Sequence, residues 1–287
     1  MRQKPLNLWR WVAQRLGSTE LVIGLTLFAV IVALIVFREQ LQTHDPYADN
    51  LMQRFLGVGE GGHLLGTDNL GRDLWSRVLE GISWSISAAA LATLIAFVLG
   101  TAIGLAAAQF PGWVRTVLNR VVDMALAFPN LIIAIIVVAV VGRGFWPLTM
   151  TLGLVSWPVF ARVVFAETLS LLERDYVIAA RTFGAPIGGI LVGHVLPGLR
   201  PSLTVVLAFH FADMLVAESA LSFLGLGAPL GVPTWGNLLQ QARDYLFIAP
   251  WLMAVPTVGI IYAVFTINLI GDGLAARARK KGPRIDL

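Results

Sequence analysis

Long apolar runs separated by shorter polar stretches are the main pattern along this chain. The runs lie at about residues 20–37, 83–108, 121–141, 145–165, 201–216 and 250–270. A helix needs about 20 residues to cross the hydrocarbon core of a bilayer, and a helix satisfies its own backbone hydrogen bonds in lipid. The pattern therefore predicts an all-α integral membrane protein with about six transmembrane helices.

Composition supports this fold class and removes several kinds of site. Of the 287 residues, 57% are hydrophobic and 13% are charged, whereas soluble domains carry about 25% charged residues. The chain has no cysteine, which excludes disulfides, thiolate metal sites and cysteine nucleophiles. The basic residues are scattered between apolar runs instead of forming one patch, so a nucleic-acid-binding protein is not indicated.

The distribution of basic residues predicts the orientation in the membrane. With the N-terminus in the cytoplasm, 15 of the 21 Lys and Arg residues fall on the cytoplasmic side, as the positive-inside rule requires. Both termini are then cytoplasmic, which requires an even number of spans. The predicted organisation is a cytoplasmic segment (1–19), a first helix (20–37), an external loop (38–82), a helical core (83–275) and a basic cytoplasmic tail (276–287).

The cytoplasmic loop at residues 167–200, here called the coupling loop, has the pattern of two short helices joined by a glycine. Asp175 is expected to cap the first helix and Gly184 to end it. The pair Ala179-Ala180 would let another surface approach closely. A second short helix is expected at 186–195, with Pro197 beyond its end. Such an elbow is either a docking element or an ordinary connector.

The external loop contains a second dense motif at residues 63–77, here called the lid motif. Gly66 and Gly71 permit tight turns, and the charged residues between and after them are expected to form a local ion-pair lattice. A phosphate-binding role is not indicated, because no GxxxxGK[ST] follows a strand. We expect a structural lid built from Gly66, Thr67, Asp68, Gly71, Arg72, Asp73, Ser76 and Arg77.

Two ionisable residues, His210 and Asp213, interrupt the predicted fifth helix. They lie three residues apart and so share one helix face, and ionisable residues within spans are functional candidates by default. They would line a hydrated pathway, pair with each other or with a partner helix, or support proton coupling or metal binding. We favour a satisfied interior pair. The four histidines yield no catalytic or metal-ligand set by spacing.

The two loops carry a family resemblance. Ala179-Ala180-x-x-x-Gly184, followed nine residues later by x-x-Leu196-Pro197, resembles the "EAA" loop of ATP-binding-cassette (ABC) importer permeases. Ile178 and His194 depart from that motif, because the family usually has Glu and Ile there. The run from His63 to Arg77 resembles the "LGTDxxGRDxxSR" signature of the dipeptide, oligopeptide and nickel permeases. The resemblance covers about residues 20–275.

The resemblance implies a type I ABC importer transmembrane domain in the bacterial cytoplasmic (inner) membrane. It implies a homologous second permease, two ATPase subunits and an external substrate-binding protein as partners, and ATP and Mg used by the ATPases alone. This chain would have no catalytic residue, cofactor or metal of its own. Its ATPase-docking residues would be Asp175, Tyr176, Ala179, Ala180, Arg181, Gly184, Ala185, Leu196 and Pro197.

Function and substrate stay partly open at this level. Dipeptides and oligopeptides are the first expectation, and nickel or a metal–chelator complex is the alternative within the family. A proton-coupled secondary transporter using His210 and Asp213 is a remote alternative, and a membrane-embedded enzyme is another. Six spans without an inverted repeat fit the secondary transporters poorly.

Overall fold

The computed structural model describes residues 19–229 and 231–280, and within them the regular elements are helices joined by loops, of which the longest is 42–73. The predicted segment 1–19, apart from Thr19, and the end of the tail lie outside the described residues. The helices are α1 Thr19–Val36, α2 Arg38–Leu41, α3 Leu74–Gln109, α4 Trp113–Leu126, α5 Asn130–Val141, α6 Phe145–Leu172, α7 Asp175–Thr182, α8 Ile187–Ile190, α9 Leu196–Phe223, α10 Trp235–Ala242 and α11 Trp251–Lys280.

Five helical segments of the described chain are long and apolar enough to cross a membrane: α1, α3, α6, the stretch from α8 through α9, and α11. A sixth span results if α4 and α5 count as one bent unit. The prediction of an all-α membrane protein with about six spans is therefore confirmed. Helix α11 continues through Lys280, so the predicted tail begins as helix.

Helix α3 begins nine residues before the predicted second span. Helix α3 starts at Leu74, and Asp73 caps it by accepting a hydrogen bond from the backbone N–H of Ser76. The first turns of α3 carry Arg77 and Glu80, which hid them from a search for apolar runs. Those turns pack under the lid motif, where Arg77 is completely buried.

The third predicted span, 121–141, is not one straight helix. Helices α4 and α5 meet at an angle of 84° across residues 127–129. Pro129 stands at the N-cap of α5 in an extended conformation, and the residue before a proline is disfavoured in helical geometry. The break therefore follows from Pro129, which a count of apolar residues does not register.

Glycines bring α3 and α6 into close contact. A Cβ at Gly100 would lie 2.9 Å from the backbone N of Ala161, and one at Gly104 would lie 2.8 Å from Cβ of Val164. Gly153 of α6 faces Ile95 of α3 in the same way. Contacts therefore advance in the same direction along both helices, so α3 and α6 run parallel. The small residues Gly100 and Gly104 therefore allow the close packing that is common between helices in membranes.

The lid motif and the coupling loop lie at opposite ends of α3. The lid motif immediately precedes Leu74, whereas Gln109 at the other end lines a small cavity with Val177 and Arg181. Thirty-six helical residues span about 54 Å at 1.5 Å per residue, more than the ~30 Å hydrocarbon core. The two motifs are therefore placed on opposite sides of any bilayer that α3 crosses.

Candidate functional site

The coupling loop folds as a helix, a glycine turn and a second helix. Helix α7 spans Asp175–Thr182, and its N-cap is Arg174 without a side-chain capping bond. The expectation that Asp175 caps the helix is therefore wrong. Asp175 instead stands in the first turn, where its charge complements the positive end of the helix dipole, and Arg181 in the last turn complements the negative end.

Gly184 ends α7 as the sequence predicted. It has a φ of +82°, in the left-handed region that glycine enters at little cost. The N–H of Gly184 donates to the carbonyl of Arg181, and the N–H of Ala185 donates to the carbonyl of Ala180 at 3.1 Å. These two bonds form a Schellman motif, so the direction of the chain after α7 is fixed by its own backbone.

The second helix of the elbow does not stop before Pro197. Helix α8 passes through a π-helical turn at Leu191–Val195 into α9, and Pro197 lies in the first turn of α9. Proline has no N–H to donate to the preceding turn, and the change from π-helical to α-helical geometry falls just before Pro197. The predicted end at 195 is therefore wrong, and the elbow is continuous with a span through Leu196 and Pro197.

Apolar side chains cover the outside of the elbow. Val177 is buried against the helices behind it, but Phe183 is 90% exposed, and other large apolar residues of the elbow are also exposed: Tyr176, Ile178, Ile187 and Val192. Ala179 lies on the exposed surface between them. Contiguous exposed apolar surface marks interaction sites. We call this set, with Phe183, the elbow surface.

An open cleft of about 760 Å³ lies beside the elbow, between α6, α9 and α11. Its charged lining consists of Glu167, Arg174, Arg200 and Arg277. Three guanidinium groups against one carboxylate make the cleft positive. This charge lies at the same end of the molecule as the elbow surface.

The lid motif closes around Asp68, which is buried. Its Oδ1 accepts hydrogen bonds from the backbone N–H groups of Leu70, at 2.8 Å, and of Arg72, at 3.0 Å. Its Oδ2 accepts from Nε of Arg72 at 2.8 Å and lies 3.5 Å from Nε of Arg77. This carboxylate thus pairs with two buried guanidinium groups, and Oδ1 of Asp49 also lies 3.7 Å from Nε of Arg72. The predicted ion-pair lattice is present for these three residues.

Both arginines also fasten the lid to a distant part of the chain. The Nη2 atoms of Arg72 and Arg77 each donate to Oε1 of Gln241 in α10 at 3.3 Å, and Nη1 of Arg77 donates to the carbonyl of Pro46. Gly71 is required because a Cβ there would collide with the backbone carbonyl of Asn50. The participation of Gln241 was missed, since nothing near it in sequence resembles the lid.

Asp73 does not join the arginine lattice, which corrects that part of the prediction. Its Oδ2 accepts from Ser76 N–H at 2.8 Å and from the hydroxyl of Thr43 at 3.2 Å. Its Oδ1 faces Nδ1 of His63 at 2.8 Å. Burial alone would raise the pKa of Asp73, but the hydrogen bonds from Ser76, His63 and Thr43 outweigh that effect and lower it.

Two further members of the lid motif, Thr67 and Ser76, act through hydroxyl groups. The hydroxyl of Thr67 donates to the carbonyl of Gln53 and accepts from the N–H of Leu56. The hydroxyl of Ser76 accepts from the N–H of His44 at 3.2 Å. Both therefore tie the preceding loop to the start of α3. Gly66, with a φ of +79°, provides the turn before Thr67.

His210 and Asp213 do not form the interior pair favoured by the sequence. His210 is buried and its ring packs edge-on against Phe160 at 4.8 Å. Asp213 is exposed on the surface of this chain, and no hydrogen bond or ion pair joins it to His210. A step of three residues spreads two side chains by about 60° around a helix with 3.6 residues per turn, which here separates core from surface.

Another buried acid of α9, Glu218, lies in the core. Its Oε1 accepts from the hydroxyl of Ser222 at 2.8 Å, and Ser219 lies beside its Oε2. Glu218 was not among the predicted site residues. Carboxylates are costly to bury, and that cost is a signal that could have identified Glu218 as a structural centre.

Comparison with known proteins decides the family. A family described as "binding-protein-dependent transport system inner membrane component" matches residues 100–281. The chain belongs to this family of transport permeases. The match includes the coupling loop, the cleft and every span after the second.

Individual relatives cover nearly the whole permease. The glutathione transport system permease protein GsiD of Pectobacterium atrosepticum is 36% identical over 93% of this chain and 89% of its own length. A putative peptide transport system permease protein of Brucella suis is 40% identical over 88% of this chain and 84% of its own. The dipeptide transport system permease protein DppC of Alkalihalophilus pseudofirmus is 32% identical over 93% of this chain and 88% of its own.

The family assignment agrees with the all-helical architecture. The permease is a multi-pass inner membrane protein with a type I ABC importer transmembrane domain, as the sequence predicted. Its relatives are transport components and not enzymes.

Proposed function

We propose that this permease is one of two homologous transmembrane subunits of an ATP-driven importer of dipeptides or oligopeptides. The observation that carries the proposal is the elbow surface, an exposed apolar patch on a rigid helix–glycine–helix unit continuous with a span. The relatives' names, which refer to peptide, dipeptide and glutathione transport, support peptides as cargo. None of them favours nickel or a metal–chelator complex.

The elbow is proposed to dock on an ATPase subunit by packing. Ile178 stands where the family motif has glutamate, and its side chain is exposed beside Phe183. An apolar residue cannot form a salt bridge, so affinity here would come from buried apolar area, about 25 cal/mol per Å². The positive cleft lined by Arg174, Arg200 and Arg277 would receive an acidic part of the same partner.

Mechanical coupling is proposed to pass from α7 into α9. When the ATPases close on ATP and Mg, they would move the elbow, and the unbroken helix from Ile187 to Phe223 would carry that motion into the span. The permease itself would hydrolyse nothing. The exposed position of Asp213 on α9 suits a residue that faces the second permease or the pathway between the two subunits.

The lid motif is proposed to act as a structural cap on the outer face. There it would present exposed apolar residues such as Met52 and Phe247 to an external substrate-binding protein. The lattice of Asp68, Arg72 and Arg77 would keep that surface in one shape.

Two exposed phenylalanines at opposite ends give a matched test. Phe183 is 90% exposed on the elbow, and Phe247 is 98% exposed beside the lid. Neither substitution to Ser removes packing within this chain, so both variants should fold. We expect Phe183→Ser to reduce co-purification of the ATPase subunits at least fivefold, and Phe247→Ser to leave it unchanged.

The measurement is the amount of ATPase recovered per permease from solubilised membranes, quantified by gel densitometry. Wild-type recovery with Phe183→Ser would refute docking through the elbow surface.

The cargo is tested separately, by uptake assays with a labelled dipeptide, glutathione and Ni²⁺ on the intact transporter. We expect competition by peptides and none by Ni²⁺.

A further inference from the structure

A second cluster in the lid lies outside the arginine lattice and has no role in the proposed function. Three side chains from three separate segments, His44, His63 and Asp73, direct ligand-type atoms toward one point. Nδ1 or Nε2 of each ring and one carboxylate oxygen lie within 4.8 Å of one another. The rings of His44 and His63 stack with centroids 4.3 Å apart.

The distances around Asp73 suit a shared cation. Its Oδ1 is 2.8 Å from Nδ1 of His63 and 3.7 Å from Nδ1 of His44. Ligand bonds to Zn²⁺ of about 2.0–2.1 Å place neighbouring ligand atoms about 3.3 Å apart in a tetrahedron. The two observed distances bracket that value, so shifts of about half an ångström would complete the geometry.

Charge is also unbalanced at this point. Asp73 is 1% exposed, and in the described ranges its ion-pair partners are the two histidines, with no Lys or Arg. The guanidinium groups of Arg72 and Arg77 are directed to Asp68 instead. Hydrogen bonds from Ser76, Thr43 and His63 satisfy this carboxylate, but buried charges are usually also paired with an opposite charge or bound to a metal. A divalent cation would supply the missing positive charge.

The hydrogen bonds of His63 also favour a bound cation. Nε2 of His63 lies 3.3 Å from Oε1 of Gln53, an oxygen that also accepts from Asn50 at 2.8 Å. A neutral imidazole has one N–H. If Nε2–H donates to Gln53, the lone pair of Nδ1 faces the carboxylate oxygen, and either a second ring proton or a metal cation has to lie between them. Metal-binding histidines commonly use their other N–H in this way.

We propose that His44, His63 and Asp73 bind one late first-row divalent cation of the Zn²⁺ type. Two imidazoles and a carboxylate are the ligand class that Zn²⁺, Ni²⁺ and Cu²⁺ take. Asp73 binds through Oδ1 alone, because Oδ2 caps α3. The half-exposed ring of His44 leaves the fourth position open to water. The ion links residue 44, residue 63 and the start of α3.

The site was invisible to sequence reasoning. His44 and His63 are 19 residues apart, and the third ligand lies within a motif that already had an explanation. Local metal motifs place ligands two to five residues apart, and this one is assembled by the fold of the lid. The prediction that the chain has no metal site is revised by this proposal, which does not depend on the identity of the cargo.

Metal content of the purified full-length chain tests the proposal. The protein in detergent micelles is stripped with EDTA, reloaded with Zn²⁺, dialysed and measured by elemental mass spectrometry, and its affinity is determined by competition with a chromogenic chelator. We expect one Zn²⁺ per chain. His44→Ala should lower the affinity at least tenfold, and Gln53→Leu should lower it less.

The variants separate ligation from folding. His44→Ala removes a half-exposed ring and keeps the backbone bond to Ser76, so its melting temperature without metal should match wild type. His194→Ala removes a histidine at the opposite end and should bind Zn²⁺ as wild type does. Co²⁺ in wild type should show the visible absorption of a tetrahedral site, and His44→Ala should lose it.

The proposal is overturned if wild type retains no Zn²⁺, since a proton then holds the cluster together, or if His44→Ala binds as tightly as wild type. The second result would place the ion elsewhere. If His63→Asn fails to fold, the comparison of wild type with His44→Ala still decides the question.

Discussion

Asp68 shows how much of the lid depends on one side chain. It neutralises two arginines that are buried with it, and it accepts two backbone hydrogen bonds in the turn that Gly71 makes. Buried pairs of this kind are weak sources of net stability, but removing one partner leaves an uncompensated charge. The lid is therefore more sensitive to loss of Asp68 than its modest size suggests.

Asp68→Ala should lower stability by about 3–5 kcal/mol, the usual cost of breaking a buried pair. Asp244→Ala is the matched control, because Asp244 pairs with Arg243 on the surface and such pairs contribute less than about 1 kcal/mol. Thermal unfolding of the two variants in the same detergent measures the difference. Equal melting temperatures would show that the lattice does not hold the lid closed.

For single residues, the sequence predicted well which residue types build the lid and predicted less well which side chains contact one another. The turn glycines and the Asp68, Arg72 and Arg77 lattice followed from the motif alone. The assignment of Asp73 to the same lattice was wrong, because Asp73 caps a helix whose start was not recognised. Gln241 and His44 were missed because their partners are distant along the chain.

Among the elements, the parallel pair α3 and α6 depends most on shape. Gly100 and Gly104 allow the helix backbones to approach, and the same face carries Ala96, which is fully buried. Close approach replaces side-chain interlocking here, as it often does between helices in membranes. One methyl group at the wrong position would therefore push the helices apart.

Gly100→Ala should destabilise the permease by about 1–3 kcal/mol, the usual cost of overpacking. Gly188→Ala is the control: it also adds a methyl group to a helix, but nothing lies within 4 Å of that position, so a change within about 1 kcal/mol is expected. Melting curves of both variants provide the comparison. A Gly100→Ala protein as stable as wild type would mean that α6 can move away freely.

The boundaries of several helices were not predicted correctly from the pattern of residues. The C-terminal end of α7 at Gly184 was predicted correctly, because a left-handed residue is a local requirement. The early start of α3, the 84° break at Pro129 and the continuation of α8 into α9 were missed or wrong. The first turns of α3 were missed because they carry charged residues, and the break was missed because Pro129 was ignored. The continuation of α8 into α9 was predicted wrongly because Pro197 was read as lying beyond the end of a helix.

The whole molecule has two working ends joined by α3. The elbow surface and the positive cleft lie at one end, and the lid with its fastened arginines lies at the other. The number of spans and their apolar character were predictable from composition because lipid imposes the rule. The placement of the lid and the coupling loop on opposite sides was predicted from the distribution of basic residues, whereas the close packing of α3 against α6 was not.

This arrangement predicts that the permease transports nothing alone. In liposomes with a pH gradient but without ATPase subunits, we expect no dipeptide uptake, since His210 and Asp213 do not meet to pass a proton. With the complete transporter and ATP inside, uptake should appear and should vanish with a non-hydrolysable ATP analogue. Uptake by the chain alone that collapses with the gradient would favour a secondary transporter.

The complete burial of Arg77 has a consequence for biosynthesis. Its guanidinium group finds Asp68 nearby, but Gln241 is 164 residues further along the chain. At about 5–20 residues per second, a ribosome delivers that partner roughly 10–30 s after Arg77 has left the exit tunnel. Until then Arg77 lacks its hydrogen bond to Gln241. The lid can therefore reach its final structure only after the later spans have been inserted.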